Sequence, residues 1–409
     1  MILISRSNLH LTGELQITGS KSESNRLLLL NQLFQNALTL ENVSNSEDSQ
    51  LMQNALANTS DVIDIHHAGT VMRFLTAYFS IQEGRTVTLT GSDRMKQRPI
   101  GVLVEALRAL GADITHIENE GYPPLKINGK KITASEITIP ANVSSQYITA
   151  LMLIGTQLEK GLTITLEGKI ISIPYIQMSI QLLNRIGVNA KMENQQIKVD
   201  YTPTIASQTI QVESDWSSAS YYYSLVALSP NSEVTIATYY EDSLQGDSAL
   251  QTIYKDNFGV ESIFNNGKLT LKNNSNFTYS DVITLDLNNT PDIAQTIAAI
   301  CVGLGLKCHL TGLETLKIKE TDRLQALQNE LTKMGAVVEI TDDSLSIKRY
   351  NVFENTPVLK TYNDHRMTMC MAPLAIKFPI QIENEMVVEK SYPTFWEDWK
   401  TLGFDLQSL

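Results

Sequence analysis

Cysteine is scarce in this chain. Three cysteines among 409 residues, at Cys301, Cys308 and Cys370, are odd in number and widely spaced. That excludes a disulfide scaffold and reads as buried free thiols in a reducing cytoplasm. Metal-ligand clusters are missing as well. No His/Cys group has useful spacing, and the adjacent pair His66-His67 reads as structural because neighbours rarely point at one ion. No metal and no organic cofactor is therefore expected. Long apolar runs are absent: the longest, around Ile293 to Leu306, is too short and interrupted to span a bilayer. The start, Met1-Ile2-Leu3-Ile4-Ser5-Arg6, lacks a basic region followed by a long apolar one, so no signal peptide is expected. Positive charge is also short. A formal net charge of −12 counts against nucleic acid or an anionic membrane as the main partner. What remains is the composition of a soluble globular protein with room for two or three domains.

Against that background the run Gly19-Ser20-Lys21-Ser22-Glu23-Ser24-Asn25-Arg26 stands out. Leu15-Gln16-Ile17 before it alternates like a short strand, and Leu27 to Leu30 after it reads as a helix. Ser20 and Glu23 fit a capping box, with Ser20 as N-cap. Lys21 then lies in the first turn, and Ser22 and Arg26, four apart, share a helix face. Free N–H groups and the positive dipole end point the same way, which suits a phosphate monoester. The glycine–lysine spacing of a P-loop is missing. By itself the run is equally an ordinary capped helix start.

Glycines recur about every 70 residues at the ends of amphipathic helices: Gly111, Gly187, Gly259, Gly335 and Gly403. Each fits the residue just past a helix, where positive φ costs glycine least. A sixth, degenerate copy without the glycine falls near Leu51 to Asn58. Six units of mixed strand and helix imply two similar halves, with the crossing around Val212 to Asp215.

Polar clusters open further helices: His67 to Thr70, Arg94 to Pro99 with Pro99 at the first helical position, Asn142 to Gln146, Thr290 to Asp292, Lys319 to Arg323 and Asn363 to Arg366. Capping accounts for Ser, Thr, Asn and Asp. It does not account for Lys21, Arg26, Arg73, Arg98, Lys319, Arg323 and Arg366, which oppose the helix dipole where they stand. An acidic chain that repeats this arrangement is built to bind a strongly anionic small ligand.

These motifs resemble those of the 5-enolpyruvylshikimate-3-phosphate synthases, a family of enolpyruvyl transferases. The resemblance is carried by Gly19 to Arg26, Ala68 to Arg73, Arg94 to Gly101, Val143 to Gln146, Lys319 to Leu324 and Asn363 to Met367, with Lys390 before Ser391-Tyr392-Pro393. It implies an α/β fold: a two-domain inside-out α/β barrel, each domain three βαβαββ-type units, with the active site in the interdomain cleft. It divides the chain into an N-terminal domain, 21–213, and a second domain, 1–20 plus 214–409. It implies transfer of enolpyruvyl from phosphoenolpyruvate to the 5-hydroxyl of shikimate 3-phosphate through a tetrahedral intermediate, with phosphate released, on the route to chorismate and the aromatic amino acids. Shikimate 3-phosphate is expected at Lys21, Ser22, Arg26, Ser144, Ser145, Gln146, Ser172, Tyr175, Asp292 and Lys319. Phosphoenolpyruvate is expected at Lys21, Gly69, Arg98, Gln146, Arg323, Arg366 and Lys390. Asp292 is the implied base, Glu320 the implied acid, and Lys319 the acid's electrostatic partner. Glyphosate, which occupies the phosphoenolpyruvate site in this family, is expected to fit beside Gly69. No cofactor, no membrane and no nucleic acid enters, and a cytoplasmic monomer is expected.

Several positions depart from the family pattern: His67 where Asn is frequent, Phe74 after Arg73, Thr315 in place of an Asn, and a short Asp48–His67 stretch that lacks a hairpin. Three alternatives stand beside the resemblance. A transferase acting on UDP-N-acetylglucosamine shares the fold but carries a reactive loop cysteine, and none of the three here sits in such a place. An RNA 3′-phosphate cyclase-like protein conflicts with the acidic charge. A silent binding protein conflicts with Asp292, Lys319, Glu320 and Arg366 standing together.

Overall fold

The computed structural model describes residues 1–409 except Val143, Lys169 and Glu354. Val143, first residue of the Val143–Gln146 motif, thus lies outside the described residues. The chain falls into two compact units: an inserted unit, Ser20–Val212, and a flanking unit, Met1–Gly19 with Glu213–Leu409.

The inserted unit repeats one pattern. Strand Val62–Asp64 leads through helix α3 (Gly69–Ser80) to the parallel strand Thr86–Thr90, then through α4 (Gly101–Leu110) to the antiparallel pair Asp113–His116 and Leu125–Asn128. The same order recurs from Glu136–Pro140 through α5 (Ser145–Gly155), Leu162–Glu167 and α6 (Ile173–Arg185) to Ala190–Glu193 and Gln196–Val199. A third copy joins Gln208–Gln211 in parallel to Leu38–Glu41, which α1 (Lys21–Leu33) precedes and α2 (Glu47–Ala57) follows. That sheet has only two strands. After α2 the chain runs straight into Val62–Asp64, so the hairpin is missing here, as the short Asp48–His67 stretch implies.

The flanking unit has three complete copies. Thr12–Gln16 pairs in parallel with Glu233–Ala237, reached through α7 (Trp216–Leu228), and α8 (Leu250–Phe258) leads to the hairpin Val260–Asn265 and Lys268–Asn273. The second runs from Val282–Asp286 through α9 (Ala294–Leu304), Lys307–Thr311 and α10 (Arg323–Lys333) to Ala336–Ile340 and Leu345–Tyr350. The third runs from Val358–Leu359 through α11 (His365–Met371), Ile380–Ile382 and α12 (Phe395–Thr401) to Asp405–Ser408, and Ile2–Ser5 completes its sheet. No one of these sheets closes on itself.

The repeat glycines do what their spacing requires. Gly111, Gly187, Gly259, Gly335 and Gly403 all have positive φ, between 66° and 107°. At Gly335 the requirement is double, since an added Cβ would also meet the Asn351 carbonyl oxygen at 2.1 Å.

Strands such as Leu162–Glu167 alternate buried and half-exposed residues, as a sheet with one wet face must. Helices α5, α7 and α9 are buried along nearly their whole length.

Candidate active site

In the inserted unit, α1 begins as the sequence predicts. Ser20 is the N-cap, and its hydroxyl accepts from the Glu23 N–H at 3.4 Å. Lys21 Nζ lies 3.3 Å from Asp48 Oδ2, and His67 Nε2 lies 3.3 Å from Asp48 Oδ1 and 3.6 Å from Glu47 Oε2. Asp48, at the start of α2, thus links a lysine and a histidine. His67 thus stands beside the Lys21–Asp48 pair.

Arg26 is buried. Its Nε donates to Ser179 Oγ at 2.8 Å and its Nη1 to the Ser22 carbonyl at 2.7 Å. Its Nη2 donates to Thr149 Oγ1 and the Tyr175 carbonyl, both at 3.4 Å. Burial pulls the guanidinium down to about 10, against the pull of Tyr175 and Glu23. Arg26 ties α1 to α5 and α6, and Tyr175 enters through its backbone. Ser172, which precedes α6, is buried at φ 54°. A left-handed serine is strained, a condition concentrated at functional sites.

Helix α3 starts differently. Its N-cap is Ala68, which offers no side-chain cap, so the first-turn N–H groups stay available to an anion. Arg98 covers this end: a Cβ built on Gly69 would meet Arg98 Nη1 at 2.6 Å. Arg98 is buried, yet its Nε has no hydrogen-bond partner among the described residues. A buried guanidinium over an uncapped helix start has the chemistry to hold an anion. Around it, Arg73 donates to the Gly69 carbonyl at 2.9 Å and to the Pro99 carbonyl at 3.1 Å. The Tyr147 hydroxyl also donates to the Pro99 carbonyl, at 2.6 Å. Pro99 is not at the first helical position as its sequence setting suggests: Ile100 is the N-cap of α4, and Pro99 serves as an acceptor just before it. Ser144 caps α5 by accepting from the Gln146 N–H at 3.3 Å, Ser145 is buried in the first turn, and Gln146 Nε2 donates to Thr70 Oγ1 at 3.0 Å.

The flanking unit holds a second cluster, centred on Asp292. Its Oδ1 lies 3.4 Å from Lys319 Nζ and 3.2 Å from Arg323 Nη1, and its Oδ2 lies 3.2 Å from Arg366 Nη2. Asp292 sits in a tight turn, Pro291–Ile293, and α9 proper begins at Ala294. Burial works against its charged form, but Arg366, Lys319 and Arg323 outweigh it and hold the carboxyl far below the usual carboxylate range. Neighbouring charges, more than a helix dipole, keep it ionised. Burial pushes Lys319 down, against Asp292.

Arg323 opens α10, which Asp322 caps by accepting from the Gln325 N–H at 3.1 Å. Its Nη2 lies 2.8 Å from Glu320 Oε2 and its Nε 2.7 Å from Asp364 Oδ2. Glu320 and Lys319 therefore stand in the turn before the helix, not in its first turn. Burial is the largest influence on Arg323 and pulls down, but Asp364, Glu320 and Asp292 together raise it. Lys390 Nζ donates to the Asn363 carbonyl at 2.8 Å, beside the start of α11. Thr315 Oγ1 is buried without a partner among the described residues. No group of three or more His, Cys, Asp and Glu among the described residues has metal-site geometry.

The chain matches the sequence model of EPSP synthase (3-phosphoshikimate 1-carboxyvinyltransferase) over residues 6–60 and 53–399. The chain belongs to the EPSP synthase family. A 3-phosphoshikimate 1-carboxyvinyltransferase of Bacteroides fragilis is 44% identical over 397 residues, covering 96% of each chain. One of Shewanella woodyi is 33% identical over 421 residues, covering 96% of this chain and 97% of that one. The fold is that of an EPSP synthase from Acinetobacter baumannii, with a TM-score of 0.76, 20% identity, and coverage of 100% of this chain and 99% of the other.

Asp48, Ser217 and Asp247 join these EPSP synthase clusters without having been singled out by the sequence, and Asp364 was named only as part of the Asn363–Met367 motif. Asp364 was legible as the cap of α11, which it is, accepting from the Arg366 N–H at 2.9 Å. Its ion pair with Arg323 spans 41 positions and had no local signal.

Proposed function

We propose the following division of labour for the reaction this family member carries out, transfer of enolpyruvyl from phosphoenolpyruvate to shikimate 3-phosphate. The observation that carries it is the Asp292 cluster, a carboxylate gripped by Arg366, Lys319 and Arg323. Lys21, Ser22, Ser144, Ser145 and Ser172 take the shikimate phosphate, with Arg26 and Tyr175 shaping its seat. Arg98 over Gly69, together with Gln146, Arg323, Arg366 and Lys390, takes phosphoenolpyruvate. The inserted unit mainly binds shikimate 3-phosphate, and the flanking unit supplies the acid and base.

Asp292 accepts the proton of the 5-hydroxyl as its oxygen attacks the central carbon of phosphoenolpyruvate. Glu320 delivers a proton to the methylene carbon, with Lys319 assisting. The tetrahedral adduct then loses phosphate and a methyl proton to restore the double bond. A carboxylate held this far below neutrality is a weak base. Substrate anions that draw Arg366 and Lys319 to themselves remove positive charge from beside Asp292 and raise its basicity at the moment it is needed. All three cysteines are buried, which disfavours a chemistry that depends on an accessible thiol. Buried thiols outside any disulfide also fit a reducing cytoplasm. Among the described residues no helix is long and apolar enough to cross a membrane.

Steady-state kinetics of two variants test the division. Lys21→Ala should raise KM for shikimate 3-phosphate more than Arg366→Ala does. Arg366→Ala should act chiefly on phosphoenolpyruvate. A charge-assisted contact in a closed site is worth about 2–5 kcal/mol, so each loss should exceed tenfold. Equal losses for both substrates in both variants would sink the assignment.

A further inference from the structure

Arg366 is anchored on two sides. Its Nη1 donates to the Asp292 carbonyl at 3.1 Å, and its Nη2 lies 3.2 Å from both Asp292 Oδ2 and Ser217 Oγ. Ser217, in the first turn of α7, donates its own proton to Asp247 Oδ2. A serine hydroxyl has one proton. An ionised Asp247 can only accept, so that proton points at it, and the oxygen lone pairs of Ser217 face the guanidinium. Asp247 is 5% exposed, and its Oδ1 has no partner among the described residues. A buried carboxylate satisfied on one oxygen only is costly and calls for a reason. Burial, then the charge of Asp292, push it up to about 6, with Arg366 and the Ser217 hydroxyl pulling down and Asp215 adding to the push. Asp215 caps α7 through the Ser218 N–H at 2.8 Å and so helps fix Ser217 in place.

We propose that Ser217 and Asp247 are a positioning pair for Arg366. The carboxylate polarises the hydroxyl, and the hydroxyl fixes the guanidinium plane. Asp292 cannot do this alone, because it must surrender Arg366 to the incoming anion in order to act as a base. With Ser217 still attached, the freed guanidinium keeps its aim instead of regaining its rotamers. The inference rests on the reading of Arg366 as a phosphoenolpyruvate ligand. It extends that reading to two side chains which touch no substrate themselves.

The test compares Ser217→Ala, Ser217→Thr, Asp247→Asn, the double variant Ser217→Ala/Asp247→Asn, and Arg366→Ala. Ser217→Ala should raise KM for phosphoenolpyruvate about tenfold, the effect of a lost hydrogen bond to a charged group. KM for shikimate 3-phosphate should stay within about twofold. Ser217→Thr keeps the hydroxyl and should restore most of the loss. Asp247→Asn keeps an acceptor of about half the strength and should cost about threefold. The double variant should be no worse than Ser217→Ala, since both act through one contact. Asp247→Asn should melt no lower than the parent at pH 8, because it removes a buried charge; a merely structural aspartate would lower the melting point. An unchanged phosphoenolpyruvate KM in Ser217→Ala, or additive losses in the double variant, would overturn the pair. If Arg366→Ala raises that KM and Ser217→Ala does not, only the pair fails. If Arg366→Ala leaves it unchanged, the underlying assignment fails with it.

Discussion

At the scale of single residues, Arg26 is a buried cation held by side chains and carbonyls of its own fold. Ser22 and Arg26 are four apart, and Arg26 does reach the Ser22 carbonyl. What spacing could not show is how fully Arg26 is engaged by its own fold, through Ser179, which is 153 positions away. Asp48 and Asp247 were illegible for the same reason: contact partners far along the chain leave no periodic trace. Gly69 makes a sharp residue-scale prediction. Its missing Cβ leaves room for the Arg98 guanidinium. In Gly69→Ala the arginine, being the flexible partner, should swing aside. KM for phosphoenolpyruvate should rise several-fold while that for shikimate 3-phosphate stays put, and paired KM measurements check this. Asp292 makes another. Its folded-state pKa is depressed, so its ionised form adds stability above the unfolded value of about 4, and that contribution is lost as pH falls through the folded value. Asp292→Asn should therefore destabilise the protein at pH 7, with a gap to the parent that narrows toward pH 3. Denaturant midpoints at both pH values measure it.

At the scale of elements, helix ends were the readable feature and helix starts less so. A glycine after an amphipathic stretch has one cheap conformation, and all five repeat glycines adopt it. Starts are ambiguous because Pro, Asp and Glu suit several positions near an N-terminus. Pro99, Asp292 and Glu320 each lie just ahead of the α-helix they seemed to open. The start of α1 offers an element-scale control. Glu23 is buried at its third position, beside the Ser20 cap. Glu23→Gln should lower stability by about 1 kcal/mol, typical of a weakened cap, and leave turnover within about twofold. A turnover loss as large as that of Glu320→Gln, with the fold intact by circular dichroism, would erase the distinction drawn between capping and catalytic carboxylates.

At the scale of the whole molecule, the repeat was legible and its wiring was not. The glycine period marked five copies and left room for a sixth, degenerate one, which is the copy with the two-stranded sheet. Grouping residues 1–20 with 214–409 was implied by the family resemblance, but no local feature indicated that Thr12–Gln16 would pair with Glu233–Ala237, or that Ile2–Ser5 would complete the last copy. Parallel pairing across some 220 residues carries no local signal, because both partners read as ordinary strands. Asp292, Lys319 and Arg323 belong to the second copy of the flanking unit and Arg366 to the third, and the three cations meet on the one carboxylate. In the mechanism proposed above, this cluster performs proton transfer on phosphoenolpyruvate and shikimate 3-phosphate. The direct test is phosphate release from phosphoenolpyruvate by the parent and by Asp292→Asn, with shikimate 3-phosphate or UDP-N-acetylglucosamine as acceptor. Release should require shikimate 3-phosphate and should fall by about 10²–10⁴-fold in Asp292→Asn, the range for a lost general base. Equal release with the UDP-sugar, or undiminished release by the variant, would contradict it.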